Sequence, residues 1–141
     1  MNTCLLYTSY ISTGDDCIVI KSGYKQIPGH PFAPSENIVV SNCVFGLGHC
    51  GVGVGSETAG GVRNVAISNC VCDGTRRGLT FKSARGRGSS VENVSAVNMV
   101  FRGITDAAIG VGMFYDNGDR THAPVSYTHL DVYKRQPQDP R

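Results

Sequence analysis

Long apolar runs are missing from this chain: nothing in its 141 residues approaches the roughly 20 consecutive apolar residues of a membrane-spanning helix, so no membrane partner is expected. The first nine residues lack the basic start and small-residue cleavage pattern of a signal peptide, and so do not decide secretion. The net charge of +2 is too small to argue for a nucleic-acid partner. Cysteines stand at 4, 17, 43, 50, 70 and 72, but the paired C-x2-C spacing of a zinc site is absent; Cys70-Val71-Cys72 is only C-x-C. Most of them therefore read as small buried hydrophobes on strands, with disulfides left open. No stretch carries a sustained apolar period of 3.6 residues, so helix is expected to be minor.

What is present is a repeat. The composition, 40% hydrophobic and 17% charged, is that of one ordinary domain, and the 18 glycines point to turns and close backbone approaches. Asn37-Ile-Val-Val-Ser-Asn42-Cys43-Val-Phe45 recurs as Asn64-Val-Ala-Ile-Ser-Asn69-Cys70-Val-Cys72 and as Asn93-Val-Ser-Ala-Val-Asn98-Met99-Val-Phe101. The starts at 37, 64 and 93 are 27 and 29 residues apart. Each copy is followed by a second alternating strand, in which Val52 and Val54, Leu79 and Phe81, and Ile109 and Val111 match Ile18 and Ile20. Period-two alternation puts these pairs on one face. Short strands at this spacing predict an all-β solenoid, one coil per repeat, with equivalent strands pairing in parallel. The two asparagine columns fall at bends, where asparagine tolerates the left-handed conformation and can hydrogen-bond through its side chain; stacked in a ladder, they could satisfy free backbone groups.

Tyr24 to Glu36, with three prolines, reads as an inserted surface loop, and Ser83 to Ser90 as a second, basic and glycine-rich one. The ends differ from the repeat. Cys4-Leu-Leu-Tyr-Thr-Ser9 and Tyr127-Thr-His-Leu-Asp-Val-Tyr-Lys-Arg-Gln136 look like translated adapter sequence. Residues 1–9 are accordingly set aside as a non-native leader and 127–141 as a non-native or disordered tail, leaving 10–126 as the solenoid. About four coils result, open at both ends; since natural solenoids cap such ends, an internal fragment of a longer protein is expected.

Overlaying the second strands puts polar groups in a column. Asp15 and Asp16 align with His49 and Cys50 and with Arg76 and Arg77, while Lys21 aligns with Gly55 and Lys82. Parallel coils about 4.8 Å apart would gather carboxylates, an imidazole and cations in one groove, a cluster suited to acid-catalysed cleavage of an anionic polymer. Taken singly, Asp-Asp before a strand is more often a solvated turn, His49 a surface histidine and Lys82 a solvated strand residue. Gly51-Val-Gly53-Val-Gly55 lacks the following helix of a phosphate loop. Asn93-Val-Ser95 fits a glycosylation acceptor, a pattern frequent by chance.

Gly14-Asp15-Asp16-Cys17-Ile-Val-Ile-Lys21-Ser22-Gly23, Gly48-His49-Cys50-Gly51, and Arg77-Gly78-Leu79-Thr80-Phe81-Lys82 with Arg85-Gly-Arg87-Gly resemble the polygalacturonase family of pectin-degrading glycosidases, glycoside hydrolase family 28. Met113-Phe114-Tyr115-Asp116 is similar to a strand of its bacterial members, so the resemblance runs from about Tyr10 to Asp116. It implies a right-handed parallel β-helix that hydrolyses α-linked galacturonic acid chains with inversion, without metal or organic cofactor. It further implies a monomer when full length, working outside the cell or in the periplasm.

By the family's pattern Asp15 is the general acid, Asp16 helps activate water, and His49 orients or tunes the carboxylates. Lys82 binds a substrate carboxylate, and Arg77 or Arg76 is the candidate to replace a motif arginine. An inverting acid and base stand about 6.5–9.5 Å apart, and the acid needs a raised pKa, which crowded carboxylates can provide. Three departures stand out. Arg-Ile-Lys appears as Thr80-Phe81-Lys82, Gly-His-Gly as Gly48-His49-Cys50, and an Asn-Thr-Asp motif expected one coil upstream of Asp15 is not within the sequence. Two other readings stay open: a non-catalytic β-helix that binds polysaccharide, and a pectate-lyase-like enzyme using calcium and a basic arginine.

Overall fold

The computed structural model describes residues 3–24, 27–84, 87 and 89–115; the tail from 127 lies outside them, as do Arg85, Gly86, Gly88 and Asp116 of the matched motifs. The chain winds into a right-handed parallel β-helix of four coils. Coil 1 is β1 (Cys4–Tyr7), β2 (Tyr10–Ile11) and β3 (Ile18–Ile20); coil 2 is β4 (Ser35–Ser41), β5 (Val44–Phe45) and β6 (Gly48–Val54). In coil 3, β7 (Val62–Asp73) spans the place of both β4 and β5 and leads to β8 (Thr75–Lys82). Coil 4 is β9 (Val91–Arg102) and β10 (Ala107–Gly112), and no helix occurs among the described residues.

Two parallel sheets line the solenoid. One carries β1, β4, β7 and β9, with β2 and β5 continuing its earlier coils; the other runs β3, β6, β8, β10. The registers follow the repeat: Ile18 pairs with Val52 and Ile20 with Val54, Val52 with Leu79 and Val54 with Phe81, Leu79 with Ile109 and Phe81 with Val111. Their inward faces join Val40, Val65, Ile67 and Phe45 in one core running along the axis. Cys43, Cys70 and Cys72 are buried in it, and all six cysteines are free thiols. The inner coils are the buried ones, whereas Leu5 and Tyr7 in coil 1 and Val97, Val100, Ile109 and Val111 in coil 4 are exposed.

Asparagine makes the bends. Asn37, Asn64 and Asn93 have φ of 58°, 56° and 53°, and Asn42, Asn69 and Asn98 have φ of 55°, 53° and 50°. This is the left-handed region that asparagine enters more readily than other non-glycine residues. In β7 and β9 they bend a continuous strand rather than end it, and strand pairing skips each of them. Their amides bond along the axis: Asn64 Nδ2 donates to Asn37 Oδ1 at 3.2 Å, Asn93 Nδ2 to Asn64 Oδ1 at 3.2 Å, and Asn98 Nδ2 to Asn69 Oδ1 at 2.7 Å. The ladder thus joins side chain to side chain.

Cys4–Tyr7 pairs in parallel with Ile38–Ser41 as β1, with Leu5-Leu6-Tyr7 supplying the same apolar extended pattern. The following Thr8 takes the Asn42 place in the bend with φ of 50°, a conformation costly for a β-branched residue. The loop begun at Tyr24 ends sooner than expected, since Ser35 and Glu36 already pair with Val62 and Arg63.

Candidate active site

Asp15 and Asp16 lie on the turn entering β3, and the coil below holds that turn in place. Asp15 O accepts the His49 backbone N–H at 2.9 Å, and the Cys17 N–H donates to Cys50 O at 2.8 Å. Gly48 makes this approach feasible, for a Cβ there would stand 2.7 Å from Asp15 O. One column therefore runs Asp15, His49, Arg76, Asp106, and the next runs Asp16, Cys50, Arg77, Ala107.

Strict alternation would turn Cys50 and Arg77 inward with Val52 and Leu79. A Cβ on Gly51 would instead meet Cys72 and Phe45 of the core, and one on Gly78 would meet Phe101. Two successive positions, Gly51-Val52 and Gly78-Leu79, thus face the interior, which turns Cys50 to the Asp16 side of the sheet. Glycine makes this bearable, since a side chain at either position would collide with the core.

Lys82 is two coils from Asp16, yet its Nζ lies 2.6 Å from Asp16 Oδ2. Backbones two coils apart are separated by about 10 Å, so an extended lysine and an aspartate must reach toward each other. Gly53, on the coil between, clears the way: a Cβ there would sit 3.1 Å from both Asp16 Oδ2 and Cys50 Sγ. Cys50 Sγ lies 3.0 Å from Asp16 Oδ1. The pair is sheltered, with 11% of the Asp16 side chain and 15% of the Lys82 side chain exposed. Burial by itself pushes the Asp16 carboxyl up, but Lys82, the Cys50 hydrogen bond and the His49 imidazole together outweigh it and hold it below its ordinary value. Burial likewise presses the Lys82 ammonium down, and Asp16 reverses this and holds it high.

Asp15 is different in kind. Its side chain is 86% exposed, with His49 Nδ1 3.4 Å from Oδ1 and the Asp16 backbone N–H donating to Oδ1 at 2.9 Å. The site thus holds one sheltered, ionised carboxylate and one open to solvent, beside an imidazole. Donor atoms of Asp15, Asp16 and His49 lie within 4.8 Å of one another. An ammonium 2.6 Å from Asp16 would repel a divalent cation, so the set suits acid–base chemistry better than metal binding.

The structure therefore brings Asp15, Asp16, His49 and Lys82 together. Arg77 lies on the same sheet, but its Nε is held by Asp106 Oδ2 at 2.7 Å, and Arg76 Nε lies 3.4 Å from the same oxygen. Thr80, in the place of the motif arginine, is buried. Sequence reasoning missed the bond from Cys50 to Asp16, although the column alignment had already set Cys50 beside it. Nor did it set Tyr115 beside Lys82; the Tyr115 ring centroid is 5.6 Å from Lys82 Nζ, a contact made by the turn after β10.

Fold and site define a parallel β-helix that gathers carboxylates, an imidazole and an ammonium along one sheet. The model for "Glycosyl hydrolases family 28" matches residues 2–134, and the chain belongs to that family. It is 34% identical over 82% of its length to an endo-polygalacturonase of Pectobacterium carotovorum subsp. carotovorum, covering 27% of that protein. It is 32% identical over 74% of its length to a polygalacturonase of Ralstonia nicotianae, covering 19% of it. With an exo-poly-alpha-D-galacturonosidase of Dickeya chrysanthemi the identity is 29% over 93% of this chain and 21% of the relative. The chain thus spans about a fifth to a quarter of the length of these curated relatives. No solved structure matches it.

Proposed function

We propose that this protein hydrolyses α-linked galacturonic acid chains of pectin by an inverting acid–base reaction, outside the cell or in the periplasm. The observation that carries the reading is the convergence of Asp15, Asp16, His49 and Lys82 from three successive coils. Asp16, held ionised, is the base that activates water, and Asp15, open to solvent, is the acid that protonates the leaving oxygen. His49 orients Asp15. Lys82 draws a substrate carboxylate toward the pair, and Arg77 offers its terminal nitrogens further along the groove, Nε being committed to Asp106.

An inverting acid and base work at about 6.5–9.5 Å. The Asp15 and Asp16 oxygens approach within 4.8 Å, so in this reading the exposed Asp15 side chain swings away from Asp16 to admit water. Reducing ends released from polygalacturonate by the protein with its native flanking sequence restored test the proposal. Asp15→Asn should abolish release while leaving binding; full activity in that variant would remove Asp15 from the acid role, and binding without turnover by the unmutated protein would favour a polysaccharide-binding module.

A further inference from the structure

We propose that Cys50 is a positioning residue for Asp16: its thiol and the Lys82 ammonium grip the two carboxylate oxygens from different coils and fix the carboxylate in one orientation, that of the base. The inference rests on the hydrolytic reading above. Cys50 is 1% exposed, and its Sγ stands 3.0 Å from Asp16 Oδ1 while Lys82 Nζ stands 2.6 Å from Oδ2. One donor leaves a carboxylate free to turn about its side-chain bonds; donors on opposite oxygens fix its plane. Each oxygen can still accept from a further partner such as a nucleophilic water.

The bond has one polarity. Burial, aided by Asp16, pushes the Cys50 thiol up to about 12, so at any working pH it is S–H that donates and carboxylate that accepts. Space is made for the grip, because any side chain at Gly53 would press on Asp16 Oδ2 and Cys50 Sγ alike. Glycine occupies the Cys50 position in the motif this chain resembles, so the thiol is a donor added to that pattern. Asp16 is faced by Asp15 on its own turn, His49 and Cys50 on β6 and Lys82 on β8, with Cys17 next in sequence and Tyr115 beyond Lys82. Among them Cys50 alone bonds Oδ1.

Carboxyl carbon NMR of the 141-residue chain reads the grip through the Asp16 titration midpoint. Cys50→Ala should raise that midpoint by about half to one pH unit, and Cys50→Ser, which keeps a donor, should recover at least half of the shift. An unchanged midpoint in Cys50→Ala, or one raised equally in Cys50→Ser, overturns the proposal. Should Cys50→Ala not fold, Raman spectra give a second reading: the S–H stretching band lost in Cys50→Ser should shift in the unmutated chain as Asp16 protonates, and a band indifferent to that titration overturns the grip. In the flank-restored enzyme the acid limb of kcat/KM should move with the Asp16 midpoint. A midpoint that moves while the limb stays removes Asp16 from the base role, and no turnover at all refutes the hydrolytic reading; the titration judges the grip separately in both cases.

Discussion

Replacing Lys82 with methionine isolates its ion pair with Asp16 while keeping the bulk of the side chain. Removing one partner of a buried pair costs roughly 3–5 kcal/mol because a charge is left uncompensated. Here both side chains keep some exposure and Cys50 still donates to Asp16 Oδ1, so a loss of about 2–3 kcal/mol at pH 7 is expected. The sign of its pH dependence follows from the two shifts. Asp16 is held below its ordinary value of 3.8, so its contribution is full above that value and disappears as pH falls through the lower folded one. Lys82 is held above 10.5, so its contribution is full below that value and disappears as pH rises through the higher folded one. In Lys82→Met burial still acts on Asp16 without the ammonium to oppose it, and the carboxyl should titrate above its ordinary value. The variant's deficit should therefore be greatest between about pH 5 and 9 and shrink toward about pH 3. Urea unfolding followed by far-ultraviolet circular dichroism, compared at about pH 3 and 7, measures this. A deficit below about 0.5 kcal/mol at neutral pH, or one equal at both pH values, would refute the reasoning.

The asparagine ladder can be split into its two contributions. Asn69→Ala loses both a left-handed former and an acceptor for Asn98, whereas Asn69→Gly loses only the acceptor; losses of about 2–3 and about 1 kcal/mol are expected, and equal losses in thermal unfolding would show that φ at 69 carries no strain. Thr8→Asn should relieve a β-branched residue at φ of 50°, stabilising coil 1 by about 1 kcal/mol. Hydrogen exchange at the residue 8 amide, which donates to Ser41 O, should slow several-fold, and unchanged exchange would count against the gain.

Much of this protein is legible without coordinates, because a solenoid repeats its physics. Period-two alternation and the recurring asparagines determine which residues stack: Ile18, Val52, Leu79 and Ile109 form one file, and Asn37, Asn64 and Asn93 another. The same register lays Asp15 and Asp16 beside His49 and Cys50. Tertiary structure alone decides which way those side chains turn and how far they reach. Gly51 and Gly78 have no side chain to declare a face, so the double inward step that turns Cys50 toward Asp16 is invisible until the core shows Cys72 and Phe101 against them. Lys82 could have paired with any nearby carboxylate; it takes Asp16, two coils away, because Gly53 leaves the path clear and the sheltered carboxylate has most to gain from a partner. Arg77 takes Asp106 on the adjacent coil instead. Backbone register is set by repeated local pattern, whereas the choice of ionic partner depends on reach, clearance and burial, which exist only once the coils are stacked.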